Sequence, residues 1–217
     1  MKKLAYLIIL LLFVPTIVFA SSFDITADKV ILYNLNDDTI LYEQNSNEQT
    51  NIASLTKIMT ALVAIENIDD YDEYVTITAK DFEGTNGYSK AGFNIGDQVT
   101  YRDLLYGVLL PSGADAVNAI VNNTLGYDAF IDAMNNKAQE IGLENTSFSN
   151  PVGKDATDNY STASDIAKLL KYALQNELFK EIFTTKEYTT SNGINLECTL
   201  YPYKDILDID MIDGSKS

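Results

Sequence analysis

Two short runs of residues that favour β-strands open the folded part of this chain. Residues 29–34 (KVILYN) and 39–43 (TILYE) are rich in β-branched and aromatic residues. The segment Asn36-Asp37-Asp38 between them supplies residues that favour turns. This pattern predicts a β-hairpin.

From Ser54 onward the apolar residues recur with the spacing of a helix. Apolar residues recur at positions 55, 58, 59, 62, 63 and 65, which is the spacing of a mostly buried helix. We therefore expect Ser54 to lie in the first turn of this helix. Residues three apart share one helix face, so the hydroxyl of Ser54 and the amine of Lys57 should come within hydrogen-bonding reach.

Further helices follow, each with a start or stop signal. Thr100 with Asp103, and Thr162 with Asp165, have the spacing of N-terminal capping pairs, and Gly142 is a typical residue just past a helix end. The predicted helices are 100–110, 114–122, 127–141 and 162 to about 176, with 111–113 breaking the first from the second. Residues 73–78 and 206–212 are strand-like, 145–159 form a loop, and a turn falls at 192–193.

The first twenty residues have the pattern of a secretory signal peptide. Lys2 and Lys3 precede an apolar run over 4–20, which ends in small residues at the positions a signal peptidase recognises. The alternative is an uncleaved membrane anchor, although Pro15 interrupts the run. Both interpretations place residues 21–217, one domain of ordinary size, outside the cytoplasm.

The charge of the chain excludes some partners. The formal net charge is −16, and Arg102 is the only arginine. Such a surface repels nucleic acid and anionic lipid headgroups, so we expect neither as a partner. Cys198 is the only cysteine, which rules out an intramolecular disulfide, and we interpret it as a half-buried small residue.

The sequence contains no histidine, which excludes a Ser-His-Asp triad and a His-ligated metal. A serine nucleophile must then be activated by a lysine or a carboxylate. Ser54-Leu55-Thr56-Lys57 is the only Ser-x-x-Lys in the chain, and a poorly solvated lysine can act as a general base. The alternative is a helix N-cap serine followed by a solvated lysine.

Acyl transfer by such a pair needs two further features. One is a polar group that passes protons to the leaving amine, which Ser112-Gly113-Ala114 can supply. The other is a cationic strand for a substrate carboxylate, which Lys216-Ser217 can begin. These three motifs in this order are the signature of penicillin-binding proteins and serine β-lactamases.

The residues around the motifs sharpen this resemblance. The segment 53–62 (ASLTKIMTAL) resembles the active-serine segment of low-molecular-mass D-alanyl-D-alanine carboxypeptidases (peptidase family S11). The segments DLLYG, LPSG and DA between 103 and 116 resemble their second motif, and NP-x-G at 150–153 with YSTA at 160–163 resembles the region after it. The resemblance covers residues 29–217.

The resemblance implies a fold and a set of roles. The fold is α+β of the β-lactamase/transpeptidase-like type, an antiparallel sheet packed against helices with a helical subdomain. Ser54 would attack the bond between the terminal D-alanines of peptidoglycan stem pentapeptides, Lys57 would accept its proton, and Ser112 would relay a proton to the leaving D-alanine. Lys216 and Ser217, with Gly113, would bind substrate. No cofactor or metal is implied, and β-lactams would acylate Ser54.

Two features depart from the family pattern. Ala114 stands where the family usually has an asparagine that contacts the substrate amide, and losing such a donor costs on the order of 2–4 kcal/mol of transition-state stabilisation if nothing replaces it. Asp115 and Asn118 lie close by in sequence.

The chain also stops at Ser217, before the glycine of the third motif and the family's last two strands and terminal helix. We interpret it as truncated, with its hairpin lacking a neighbouring strand and its own activity impaired; a membrane association would come from the missing C-terminal region or an uncleaved signal.

Three other functions are compatible with the motifs. A class A β-lactamase needs a glutamate after the second motif, and residues 145–176 contain none. A transpeptidase differs only in the acceptor of the acyl group. A non-catalytic module that binds peptidoglycan or penicillin would not need the Ser54 hydroxyl.

Overall fold

The computed structural model of the chain describes residues 25–199. The predicted signal peptide, the strand-like segment 206–212, and Lys216 and Ser217 lie outside the described residues. The following paragraphs concern only 25–199.

The predicted N-terminal hairpin is confirmed. Strands β1 (Val30–Asn34) and β2 (Thr39–Gln44) pair antiparallel, with a register shift between Leu32 and Tyr33. Within residues 25–199 the hairpin pairs with no other strand, and Leu32 and Leu41 on it are more than half exposed.

The helix predicted after Ser54 lies at the centre of the molecule. A 3₁₀ turn over Ala53–Leu55 leads into α1 (Thr56–Asn67), of which ten residues are buried. Ser54 thus lies in the turn just before α1 rather than in its first turn. Five later helices pack against α1, so close packing from several elements fixes the backbone that carries the Ser54–Lys57 pair.

A small sheet and two helices come next. Strands β3 (Tyr74–Thr76) and β4 (Gln98–Thr100) pair antiparallel, and α2 (Tyr101–Leu109) follows directly. Thr100 and Asp103 form the predicted capping box, since each side chain accepts the other's backbone N–H. Helix α3 (Ala114–Asn123) begins after the predicted break.

The C-terminal half confirms some boundaries and corrects one. Helix α4 (Tyr127–Ile141) ends at Gly142 in the left-handed conformation, as expected. The helix predicted to reach about residue 176 ends earlier: α5 spans Ala163–Ala173, and a separate α6 spans Glu177–Thr184. The side chain of Asn176 accepts the N–H of Phe179 and so starts the second helix.

The described chain closes with a second hairpin, β5 (Glu187–Thr189) and β6 (Asn195–Glu197), around the predicted turn. Helices and small antiparallel sheets together make an α+β fold. No helix among residues 25–199 has both the length and the apolar character to cross a membrane.

Candidate active site

The Ser54 and Lys57 side chains meet at the start of α1. Lys57 Nζ lies 3.2 Å from Ser54 Oγ, within hydrogen-bond distance. Ser54 is half-buried, whereas Lys57 is fully buried at 0% exposure. The hydroxyl is therefore open to a substrate while the amine is shielded from water.

Burial changes the acidity of Lys57. Desolvation lowers the pKa of its ammonium from 10.5 to about 8, because a buried cation loses its hydration. No described carboxylate forms an ion pair with it. A pKa near the working pH is what a general base requires, since the amine is then partly neutral but still basic.

The alternative of an N-cap serine with a solvated lysine is wrong. No side chain caps the 3₁₀ turn or α1, whose cap positions are Ile52 and Leu55. Lys57 is buried rather than solvated. The spacing in the sequence thus reflects a side-chain pair and not a helix start signal.

The backbone around Ser54 is held in an uncommon conformation. Ala53 has a φ of 45°, a region that non-glycine residues rarely occupy. Gly153, with a φ of 85°, lies directly on this residue, and a Cβ built on Gly153 would overlap the Ala53 carbonyl oxygen. Only glycine fits there. Strain of this kind persists where the surrounding structure over-determines it, and it clusters at functional sites.

A loop distant in sequence holds Lys57 and two of its neighbours on α1. The carbonyl oxygen of Val152 accepts a hydrogen bond from Lys57 Nζ at 2.6 Å, and that of Pro151 accepts one from Thr60 Oγ1 at 2.7 Å. The amide of Asn159 donates to Thr56 Oγ1 at 3.2 Å. Three residues of α1 are thus tied to one loop.

Ser112 lies at the corner between α2 and α3. It is buried and has a φ of 61°, which like that of Ala53 is uncommon for a non-glycine residue. Gly113 follows it, and a Cβ there would lie 2.7 Å from the backbone nitrogen of Ala91, so close packing requires the glycine. Both α2 and α3 pack on α1.

The two residues near Ala114 do not replace the expected asparagine. Asp115 is buried and accepts the N–H groups of Ala91 at 2.8 Å and Gly92 at 3.3 Å. The amide of Asn118 donates to the carbonyls of Asp81 and Glu83. Both side chains therefore hold the 81–92 loop against α3.

The remaining predicted residues are accounted for as follows. Lys216 and Ser217 lie outside the described residues, so the third motif stays a prediction. Cys198 is buried at 8% exposure, so the prediction that it is half-buried is wrong.

Sequence reasoning missed the groups that hold the base. Asn150 and Gly153 belonged to a segment that resembled the family, but no pattern assigned them a task. The direct partner of Lys57 is a backbone carbonyl, which carries no side-chain signature. The one available signal was a glycine and an asparagine flanking a proline in a polar loop.

The fold is shared with solved structures of a DD-transpeptidase and a D-alanyl-D-alanine carboxypeptidase. The chain aligns with a mutant DD-transpeptidase of Streptomyces K15 at 31% identity and a TM-score of 0.80, covering 90% of this chain and 81% of that one. It aligns with a D-alanyl-D-alanine carboxypeptidase of Mycobacterium tuberculosis H37Rv at 27% identity and a TM-score of 0.77, covering 91% and 75%. This protein therefore has a transpeptidase-like fold.

Sequence comparison identifies the family. Residues 16–216 match the D-alanyl-D-alanine carboxypeptidase family, peptidase family S11, and the chain belongs to it. The D-alanyl-D-alanine carboxypeptidase DacF of Bacillus subtilis is 34% identical over 170 residues, 76% of this chain and 44% of the relative. The carboxypeptidase of Streptomyces sp. K15 is 36% identical over 166 residues, 72% and 57%. The chain thus spans about half the length of these relatives.

Proposed function

We propose that this protein is a serine-type D-alanyl-D-alanine carboxypeptidase that removes the terminal D-alanine from peptidoglycan stem pentapeptides. The observation that carries the proposal is the Ser54–Lys57 pair, with 3.2 Å between the two polar atoms and a pKa of Lys57 lowered to about 8. Membership of the family and the names of the relatives support the substrate class.

In the acylation step, Ser54 Oγ attacks the carbonyl carbon between the two D-alanines while its proton moves to Lys57 Nζ. The resulting tetrahedral intermediate collapses, the C–N bond breaks, and the leaving D-alanine takes up a proton relayed by Ser112. Water then hydrolyses the Ser54 ester and completes the cycle. Lys216, Ser217 and Gly113 bind the substrate, with Lys216 and Ser217 holding its carboxylate.

Residues 1–20 act as a signal peptide in this proposal, and residues 21–217 as a penicillin-binding domain outside the cytoplasm. The partners are the stem peptide and β-lactam antibiotics. The high negative charge disfavours nucleic acid. No cofactor takes part in the steps above.

Intact mass measurement after incubation with benzylpenicillin tests the proposal. We expect the mass to rise by one penicillin in the wild type and not in Ser54→Ala. Ser164→Ala on α5 is the matched control and should take up penicillin like the wild type. A folded wild-type protein that gains no mass would contradict the proposal and leave at most a non-catalytic binder; rapid loss of the adduct would instead indicate a β-lactamase.

Transpeptidation is a second candidate, because a solved structure with a TM-score of 0.80 is named a DD-transpeptidase. The two reactions share the Ser54 acyl-enzyme and differ in whether water or an amine accepts the acyl group. Incubation of a pentapeptide substrate with and without added glycine separates them. Free tetrapeptide as the main product in both samples supports the carboxypeptidase, and a glycine-extended peptide supports the transpeptidase.

A further inference from the structure

A five-residue turn, residues 150–154 (NPVGK), is closed by the side chain of its first member. We call it the Asn150 turn. The Oδ1 atom of Asn150 accepts the N–H groups of Gly153 at 2.8 Å and Lys154 at 2.7 Å, and its Nδ2 donates to the Lys154 carbonyl at 3.0 Å. Asn150 is buried at 8% exposure. One side chain thus satisfies three backbone groups and sets the shape of the turn.

The Asn150 turn is docked on α1 at two carbonyls. The Pro151 and Val152 oxygens, adjacent in the turn, accept from Thr60 and Lys57, which lie about one helical turn apart. Gly153 then packs against the Ala53 carbonyl beside the nucleophile. A change in the shape of the turn would therefore move the Val152 oxygen relative to Lys57.

The Val152 oxygen also determines which way the base points. A neutral lysine amine has two N–H donors and one lone pair, and only the lone pair can accept the Ser54 proton. One N–H is held by Val152 at 2.6 Å while Ser54 Oγ lies at 3.2 Å. The turn further shields the amine, since Lys57 is fully buried although the neighbouring Ser54 is not.

We propose that Asn150 is a positioning residue for the general base: by closing the turn, it aims Lys57 at Ser54 and keeps water away from the amine. The proposal rests on the proposed acyl-transfer function. It concerns a side chain that touches neither the Ser54 nor the Lys57 side chain through any hydrogen bond of the described residues, and that acts through the Val152 carbonyl.

The described charged groups on the helices around α1 bond to other residues and not to Lys57. The Asn150 turn is therefore the main determinant of where the Lys57 amine points. The carboxylates of Asp103 on α2, Asp115 on α3 and Asp165 on α5 are all buried, and each is bonded elsewhere: to Ser191, to Ala91 and to Thr146. Among residues 25–199 no ion pair involves Lys57. On α4, Lys137 pairs with Glu66 and Glu140, and on α6, Glu181 accepts from Tyr106. Lys154 in the turn itself is exposed.

The test measures the rate of Ser54 acylation by benzylpenicillin from pH 6 to 10. In Asn150→Ala the turn opens and water reaches Lys57, so the midpoint of the rising limb should move up by about one pH unit, toward the pKa of a solvated lysine. That shift alone lowers the rate at pH 7 about tenfold. Thr60→Val, which releases the turn from the α1 side, should shift the midpoint in the same direction by a smaller amount and serves if Asn150→Ala does not fold.

Asn135→Ala is the matched control. Asn135 on α4 holds the same loop in the same manner, accepting the N–H of Phe148 at 3.0 Å and donating to its carbonyl at 2.7 Å, but it is not joined to the turn. We expect this variant to melt earlier while its pH midpoint stays that of the wild type. If Asn150, like Asn135, only stabilised the loop, the two variants would behave alike.

A second readout follows Lys57 without turnover, by ¹³C NMR of its labelled side-chain methylene beside the amine. The same upward shift should appear in Asn150→Ala. An unchanged midpoint in a folded Asn150→Ala, or in Thr60→Val where Asn150→Ala does not fold, would overturn the proposal, and so would an equal shift in Asn135→Ala. A wild-type protein that forms no Ser54 adduct would instead refute the proposed function. This outcome is seen in the wild type alone, so it is distinguishable from a failure of the Asn150 proposal.

Discussion

The chain enters both α1 and α3 through a non-glycine residue with a positive φ, Ala53 at 45° and Ser112 at 61°. Each corner is followed closely by a buried charged residue, Lys57 and Asp115, both at 0% exposure. In each case a loop distant in sequence docks on the corner through its backbone: the Asn150 turn on α1 and the 89–92 segment on α3.

The two charges are satisfied differently. Asp115 accepts the N–H groups of Ala91, Gly92 and Ala116, so its carboxylate is surrounded by backbone donors. An ammonium has three donors, and Lys57 has two partners among the described residues, the Val152 carbonyl and the Ser54 hydroxyl. Desolvation without full compensation leaves Lys57 easily deprotonated, whereas the bonds of Asp115 serve to fix a loop.

The largest expected effect comes from Lys57→Met, which keeps an unbranched side chain of similar size but removes the base. Acylation by benzylpenicillin should fall about 10²–10⁴-fold. The exposed Lys180 on α6 provides the control, since Lys180→Met should retain the wild-type rate. Acylation of Lys57→Met at the wild-type rate would mean that Lys57 is not the base. The two buried charges, Lys57 and Asp115, would then not differ in function.

The same variant tests the cost of burying Lys57. Its pKa is about 8 in the native protein and near 10.5 in the unfolded chain. Below pH 8 both states are protonated and the burial penalty is fully present; between pH 8 and 10.5 only the native state has lost the proton, so stability rises with pH. The free energy of unfolding of the wild type relative to Lys57→Met should therefore increase by on the order of 3 kcal/mol from pH 7 to 11. Urea denaturation at several pH values measures this, and a constant difference would contradict it.

Asp115→Ala is expected to act on stability rather than on protonation. It leaves the N–H groups of Ala91 and Gly92 without their acceptor, and hydrogen bonds to charged groups contribute about 1.5–3 kcal/mol. We expect a loss of about 3 kcal/mol in urea denaturation, with the pH midpoint of acylation unchanged. Asp128→Ala is matched in helix position, at the second residue of α4, but Asp128 is exposed and should cost about 0.3–1 kcal/mol. A shifted pH midpoint in Asp115→Ala would mean that the Ser112 corner also affects the protonation of Lys57, as the Ala53 corner does.

The sequence could predict the parts of this arrangement that depend on local spacing. The Ser54–Lys57 pair follows from residues three apart, the start of α2 from Thr100 and Asp103, and the end of α4 from Gly142. Each involves neighbours within one helical turn, where backbone geometry alone determines which groups meet. Resemblance to the family added Ser112 and the order of the motifs.

The parts that could not be predicted depend on contacts distant in sequence. The Val152 oxygen lies 95 residues from Lys57 and, being a backbone group, leaves no trace in residue type. Asp115 lies next to Ala114 in the sequence, but its partners on the 91–92 loop are set by tertiary packing. Between α5 and α6 neither proline nor glycine marks the break, and only the Asn176 cap does.

The smallest expected effect concerns the strain at the α1 corner itself. A non-glycine residue with a φ of 45° is disfavoured by about 1–2 kcal/mol, and glycine removes this cost. Glycine also raises the entropy of the unfolded chain, which offsets about 0.5–1 kcal/mol. Ala53→Gly should therefore be neutral or stabilise the protein by up to about 1 kcal/mol, measured as the free energy of unfolding. The same exchange at Ala133, inside α4, meets ordinary helical backbone and should destabilise by about 1 kcal/mol. If both exchanges destabilised equally, Ala53 would carry no strain. A stabilised Ala53→Gly with slower acylation would mean that the strain at this corner helps to hold Ser54 beside Lys57, a role that the corner at Ser112 can then be tested for in turn.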